Sequence, residues 1–525
     1  MKEDIWRAPH LLEYISRFQK ETGLPRPRFH RRLNPTMHRL PRPNLIYPLD
    51  NGIYAHVYVD REKKGRYAII EPYMSETDEE DFTAVMRKVL EMAPEEELDP
   101  DDQEGFEKAM ETLIKKAIRS GVRISGDKLG RIEYRMRRDF IHNGKIEPLL
   151  QDPNLEDIHS IGTRSIYVVH KIFGMLETNI RFRDATELDE YLRLLSERIG
   201  KPVSDTHPIV DAALPDGSRI NIIYSDDVSR EGPSFTIRKF AEEPLTITQL
   251  VQWGTFSSEM AAYLWLALEN SMNIIISGET ASGKTTSLNA LLSFVNHNYK
   301  IYSAEDTPEV VIPHDVWQRL ITREVGPEEA RVELFDLIKA ALRSRPDYIV
   351  VGEIRGREGN VAFQAMQTGH PVMSTFHASS IEKLIQRFTG DPINVPIRFI
   401  DNLNIALFQL MVYERGRIVR RVNTLEEILR YSPAKGGVLT RTVFQWDPVE
   451  DKHRFRGRFN SHILENLIAP KMGLVDIREI YSVLDRRAEI IARMVERKIF
   501  SYKRVNDIFK RYYQKGLGGL LDYLR

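Results

Sequence analysis

The stretch that decides the fold is Asn273-Ile274-Ile275-Ile276-Ser277-Gly278-Glu279-Thr280-Ala281-Ser282-Gly283-Lys284-Thr285-Thr286. Its opening residues read as a short buried strand, and Gly278 to Thr285 spell G-x-x-x-x-G-K-T, the P-loop. Glycines are needed there because the loop must wind closely enough for its backbone N–H groups to ring phosphate oxygens. Lys284 supplies a point charge to the β and γ oxygens, and the Thr285 hydroxyl is a ligand for Mg2+. A helix expected from about Lys284 to Phe294 carries Leu288, Leu291 and Leu292 and points its positive end at the anion. Gly278 through Thr286 are therefore the nucleotide-binding residues. No N-K-x-D guanine signature occurs anywhere, which favours ATP.

Three more apolar runs end in polar groups. Ile301-Tyr302-Ser303-Ala304 delivers Glu305-Asp306, Tyr348-Ile349-Val350-Val351 delivers Gly352-Glu353, and Pro371 to Phe376 delivers His377. One acid after a strand is usually a helix cap or a solvated turn. In a parallel α/β sheet, however, strand C-termini share one edge and ligands sit there, so the conjunction with the P-loop points to a RecA-like NTPase core. Hydrolysis needs an acceptor for a water proton, a carboxylate in the Mg2+ shell and cations against the transferring phosphoryl group. Glu305 and Glu353 are candidates for the first two tasks. Arg343, Arg345, Arg355 and Arg357 flank the Glu353 run, and His377 could sense the γ-phosphate.

The rest of the chain is less specific. Its 525 residues suggest about three domains. A net charge of −1 argues against a general nucleic-acid coat, and the absence of cysteine excludes disulfides, thiolate metal sites and thiol nucleophiles. The N-terminus shows no secretory signal, and the longest apolar run, Met260 to Leu268, is nine residues between glutamates. A soluble cytoplasmic protein with only peripheral membrane contact is expected.

Residues 1–44 read as a basic arm. Pro25 to Pro43 holds five prolines and six arginines without an acid, which suggests an extended segment. It is either a solvated tail or a dock for an acidic partner or anionic headgroups. Residues 45–240 read as an α+β domain with a helical part and a PAS-like sheet part. At its start, Asn44 to Tyr73 reads as a small hairpin or meander, and Glu76 to Glu107, with 14 acids, as an exposed helix followed by an acidic linker containing Pro94 and Pro100. A hinge is expected over 241–250, around Glu242-Glu243-Pro244. Residues 251–525 would be the RecA-like domain, with a C-terminal mixed hairpin and helical lobe from about 403.

The motifs together resemble the secretion-superfamily ATPases, which power type II secretion, type IV pili and the archaellum; the archaellum and archaeal pilus-assembly motors are the nearest in look. The resemblance rests on the Walker A loop, the aspartate box Ala304 to Glu309, the Walker B region Leu342 to Arg355 and the histidine box Thr368 to Ala378. The signatures Leu214 to Asn221 and Thr236 to Phe240 also fit. It implies a homohexameric ring with ATP between an N-terminal and a RecA-like domain. Glu305 is then the catalytic base, Glu353 the Walker B magnesium-shell acid, and His377 the histidine near the γ-phosphate. Arg355 is a further catalytic candidate. Arg219 and Arg238 are the N-terminal-domain arginines that close on the nucleotide. Gly352-Glu353 stands where many NTPases have Asp-Glu, a departure the family shares.

The expected activity is Mg2+-dependent ATP hydrolysis that drives a filament or secretion machine through an integral-membrane platform protein. The terminal basic residues, Arg486 to Arg511, are either a solvated helix face or a contact with that platform. A RecA-like nucleic-acid motor and a non-catalytic nucleotide-binding scaffold are the alternatives. Neutral net charge speaks against the first, and the intact Glu305, Glu353 and His377 against the second.

Overall fold

The computed structural model describes residues 8–523 apart from 35–36, 39, 50–51, 73, 94–102, 120–125, 226, 240–242, 324–329 and 415–416. Pro94, Pro100, Phe240 and Glu242, which the sequence singles out, lie outside the described residues. The chain forms two units, Met1–Ala241 and Glu242–Arg525.

Among the described residues, unit 1 holds ten strands: β1 (Arg28–Phe29), β2 (Asn44–Pro48), β3 (Tyr54–Val59), β4 (Gly65–Ile70), β5 (Leu155–Ile161), β6 (Tyr167–His170), β7 (Gly174–Thr178), β8 (Ile209–Ala213), β9 (Arg219–Ile223) and β10 (Ser234–Arg238). Their order is β1-β2-β3-β4-β7-β6-β5-β10-β9-β8. The meander β2–β4 joins the rest through a short parallel pairing, Arg66 with Glu177 and Tyr67 with Thr178. Alternation along β9 and β10 sends Ile220, Ile222, Phe235 and Ile237 inward, onto Leu188, Leu192 and Leu195 of the helix Ala185–Arg198.

Two expectations about unit 1 are corrected. Residues 9–22 of the supposed arm form a helix, Pro9–Thr22, which starts on proline and ends at Gly23 in the left-handed region, φ 65°. Leu11, Ile15 and Phe18 recur at helical spacing. Leu11 and Ile15 pack on Ile46, Tyr54 and Ile70, while Tyr14 hydrogen-bonds the buried His56 at 2.9 Å. The arginines and prolines downstream masked this short apolar stripe. Nor is the acidic helix Glu76–Met92 simply exposed. Phe82, Val85 and Val89 bury against Met110, Leu113 and Ile114 of the helix Gln103–Arg119, and Ser75 with Asp78 closes a capping box at its start.

Among the described residues, unit 2 is built on nine strands: β11 (Ile274–Gly278), β12 (Ile301–Glu305), β13 (Trp317–Ile321), β14 (Tyr348–Glu353), β15 (Val372–Phe376), β16 (Ile405–Glu414), β17 (Arg417–Ser432), β18 (Gly437–Asp447) and β19 (Lys452–Phe455). They run in the order β13-β12-β14-β15-β11-β16-β17-β18-β19. The first six are parallel and the last three pair antiparallel. This is the parallel α/β core the P-loop implies.

The C-terminal hairpins and helices expected from about 403 are continuous with the parallel core. β16 pairs with the P-loop strand from Ile274–Ile405 to Gly278–Gln409, so the hairpins extend the same sheet. One core joins Ile274, Ile405, Leu425 and Phe444 to Ile480, Leu484, Ile491 and Phe509 of the terminal helices. At its centre the helix Ser258–Glu269 carries the nine-residue apolar run, buried on every side. Arg487, counted with the surface basic residues, is buried there instead, 2.5 Å from Glu269 and 4.6 Å over the Trp265 ring. The expected hinge is also shorter than ten residues, because the helix Ile247–Gln252, capped by Thr246, buries Ile247 and Leu250 in this core. Among the described residues no helix is long and apolar enough to cross a membrane.

Candidate active site

Parallel pairing places the C-terminal ends of β12, β14, β15 and β11 side by side at one edge of the unit 2 sheet. The P-loop leaves β11 at that edge and runs into the helix Lys284–Leu292. Its path depends on close approach. A Cβ on Gly278 would lie 2.4 Å from the Gln409 carbonyl oxygen and 2.7 Å from Ser282 Oγ. Gly283, at φ 91°, caps the helix in the left-handed region. Ser282 Oγ donates to the Glu279 carbonyl at 2.8 Å and fastens the turn.

Lys284 is 8% exposed, and its ammonium folds back over the loop. It donates to the carbonyls of Gly278 (3.2 Å) and Glu279 (3.0 Å) and to His377 Nδ1 (3.4 Å). Burial holds its pKa below the ordinary lysine value, partly opposed by the Glu353 charge. His377 follows β15. Its Nδ1 accepts from Lys284, which puts the ring proton on Nε2, the nitrogen 2.6 Å from Glu353 Oε1. Burial and then the Lys284 charge lower the His377 pKa, consistent with a neutral ring. The turn carrying it is tied to β11, because Ser277 Oγ donates to the Ala378 carbonyl and accepts from the Ala378 N–H.

Glu353 ends β14, where a bulge lies between Val351 and Glu353. Its second oxygen accepts from Arg355 at 2.6 Å. Glu305 ends β12 and is 1% exposed. Oε1 accepts from the N–H groups of Glu309 (2.8 Å) and Val310 (2.7 Å), while Oε2 is buried without a hydrogen-bond partner. Arg319 Nε, on the edge strand β13, is 3.8 Å from that oxygen. Burial pushes the Glu305 carboxyl up to about 7, against the pull of the two N–H bonds.

The Gly-Glu pair in the Walker B region has a steric reason. A Cβ on Gly352 would sit 3.1 Å from Glu305 Cγ and 3.6 Å from its Oε1. The side chain of an aspartate at 352 would meet the glutamate directly. Gly352→Ala is therefore expected to displace Glu305 and destabilise the fold by about 1–3 kcal/mol, the usual scale of overpacking. Denaturant unfolding measures it; an unchanged midpoint would mean the contact is slack.

Unit 2 thus brings Lys284, Glu305, Glu353, Arg355 and His377 to one edge. Thr285 and Thr286 lie in the first turn of the P-loop helix. Other candidates lie elsewhere. Arg343 and Arg345 precede β14 at the opposite end of the sheet, Arg345 ending the helix Leu334–Ser344 in the left-handed region, φ 47°. Arg357 is drawn off to Glu333 and the Phe335 ring. His370 precedes β15 and contacts Thr368. In unit 1, Arg219 and Arg238 face each other across β9 and β10 as directly paired residues, both partly or fully exposed.

Sequence reasoning missed the residues that hold the loop from behind. Gln409 is buried in β16, where Oε1 accepts from Ser287 Oγ at 3.0 Å. Arg420 of β17 donates to the Ala281 carbonyl at 3.0 Å. Asn289 donates to the Glu309 carbonyl and accepts from the Val311 N–H, both at 3.0 Å, so the P-loop helix is tied to the loop bearing the Glu305 bonds. A lone glutamine inside the apolar run Ile405 to Val412 was the one available signal.

These residues fit a magnesium nucleotide. A buried carboxylate oxygen without a partner, an ammonium resting on the loop's own carbonyls and a threonine at the helix start are the donor set that a metal-bound triphosphate requires.

Residues 141–404, about half of the chain, match the family described as type II/IV secretion system protein. "Uncharacterized protein MJ0900" of Methanocaldococcus jannaschii is 52% identical, over 99% of this chain and 98% of its own length. The type IV secretion system protein VirB11 of Bartonella quintana is 28% identical over 39% of this chain and 67% of its own length. Among solved structures, the pilus retraction motor PilT with bound ADP aligns over 70% of this chain and 92% of its own, with a TM-score of 0.39 and 20% identity. On the matched residues and on full-length similarity to a relative, the chain belongs to the type II/IV secretion system protein family.

Proposed function

We propose that the chain is a Mg2+-dependent ATPase, the motor of a filament-assembly or secretion machine at the cytoplasmic face of a membrane. The observation that carries the reading is the convergence of the P-loop lysine, two glutamates and one histidine on one sheet edge. Lys284 binds the β and γ oxygens, and the Thr285 hydroxyl and Glu353 hold the metal and its water shell. Bound magnesium would neutralise charge developing between the β- and γ-phosphates. Glu305 orients the attacking water and takes its proton. With a pKa near 7, its carboxyl is poised to exchange a proton at neutral pH. His377, held between Lys284 and Glu353, presents a neutral ring to the γ-phosphate, and Arg355 supplies a cation beside Glu353. The family resemblance gives Arg219 and Arg238 the further cations of the transition state.

A homohexamer working an integral-membrane platform follows from the same resemblance, whether the cargo is a pilus, an archaellum or a secreted protein. The reading is tested by measuring ATP turnover with and without Mg2+, alongside light scattering with a non-hydrolysable ATP analogue. Turnover only with magnesium, and a mass six times the 61.0 kDa chain, are expected. Metal-independent turnover, or turnover that requires single-stranded DNA, would contradict it.

A further inference from the structure

A cavity of about 210 Å³ opens in unit 1, and none of the residues assigned above to ATP hydrolysis lines it. Its walls are the π-helical turn Arg137–Ile141 with the end of the preceding helix, the loop 142–145 and the helix Ala185–Arg198. Four permanent cations line it, Arg135, Arg138, Lys145 and Arg198, against the two carboxylates Asp139 and Glu187. Three of the cations are paired. Arg135 and Arg138 bind Asp139, Arg138 also reaches Glu71 at 2.9 Å, and Lys145 binds Glu187.

Arg198 is different. Its guanidinium donates to the main-chain carbonyls of His142 and Phe140, and among the described residues it pairs with no carboxylate. The π-helical turn explains those acceptors. The His142 N–H reaches back five residues to the Arg137 carbonyl, and the carbonyls that follow are left at the end of the helix. Such turns recur at functional sites. Beside this charge lies an apolar floor. Tyr191 is fixed by donating to the Asn143 carbonyl at 3.0 Å, its ring 5.1 Å from Phe182, and Leu195 is buried next to it. Leu194 stands at the rim, 64% exposed.

We propose that this cavity binds a small organic anion, a phosphate or carboxylate head on a short apolar or aromatic body. Arg198 receives the head with a guanidinium that main-chain carbonyls leave un-neutralised, and Tyr191, Leu194 and Leu195 receive the body. Neither role is used by the ATPase reading, so the proposal stands or falls without it.

Calorimetric titration of the full chain with phenyl phosphate, and separately with benzoate, tests the site and distinguishes the two heads. At least one probe should saturate the wild-type chain and the Lys284→Ala variant alike. Arg198→Gln should weaken binding about tenfold or more, the scale of one charge-assisted hydrogen bond, and Arg198→Lys should recover part of it. Leu194→Asp sets a carboxylate at the exposed rim, where the fold has nothing to lose, and should weaken binding as well. It decides the matter if Arg198→Gln fails to fold. Absence of binding by both probes at millimolar concentration overturns the proposal. So does binding that survives Leu194→Asp unchanged, or binding lost in Lys284→Ala, which would place the probe in the phosphate loop.

Discussion

Lys284→Ala is expected to lower ATP turnover by at least about 10²–10³-fold while leaving a folded chain. The ammonium is the one lysine charge the structure places inside the loop, resting on the Gly278 and Glu279 carbonyls, where a phosphate would draw it away. Its removal strips charge stabilisation from the β and γ oxygens that no neighbouring side chain can replace, because Arg355 is engaged by Glu353. Stability should change little. Burial already disfavours the charged lysine, so losing it relieves a desolvation cost while two carbonyls lose a donor. The thermal midpoint should move by no more than about 4 °C. A variant that keeps full turnover would contradict the site assignment.

Glu305→Gln should have a comparable effect on rate and, unlike Lys284→Ala, a pH-dependent effect on stability. Gln keeps an oxygen to accept from the Glu309 and Val310 N–H groups but cannot take a proton, so kcat should fall about 10²–10⁴-fold. The wild-type rate should rise with pH through about 7, where the carboxyl ionises, and the variant should lose that limb. The stability sign follows from the direction of the shift. Burial raises the folded pKa from 4.5 to about 7, so between those values the folded chain holds a proton that the unfolded chain releases. Wild-type stability therefore declines as pH climbs through that window, by up to about 3 kcal/mol, a ceiling set by the shift itself. The Gln variant should match the wild type near pH 5 and exceed it near pH 8 in denaturant unfolding. Parallel stability curves for the two proteins would show that Glu305 ionises freely.

The parts of this molecule that were legible in the sequence are those whose chemistry is local. Gly278 to Thr285 carries its own geometry, and each of β12, β14 and β15 announces its end by a polar residue after an apolar run. What escaped depends on partners distant in the chain. Nothing near residue 405 says that β16 will lie beside β11, because strand pairing has no local signature. The same pairing brings Gln409 and Arg420 behind the P-loop, more than a hundred residues away. Arg487 looked like one more surface cation, since its burial is decided by Glu269 and Trp265 on another helix. The helix Pro9–Thr22 was the exception. Its stripe is local, but composition outweighed periodicity in the reading.

The rest depends on a triphosphate lying across the edge formed by β11, β12, β14 and β15. A crystal structure of the chain with Mg2+ and a non-hydrolysable ATP analogue tests this most directly. The account predicts β- and γ-phosphates ringed by the backbone of residues 279–285 in contact with Lys284, and the metal shell between Thr285 and Glu353. Glu305 would face the γ-phosphate across a water. An analogue bound away from that loop, or a Glu305 carboxylate turned from the γ-phosphate with the metal in place, would contradict it.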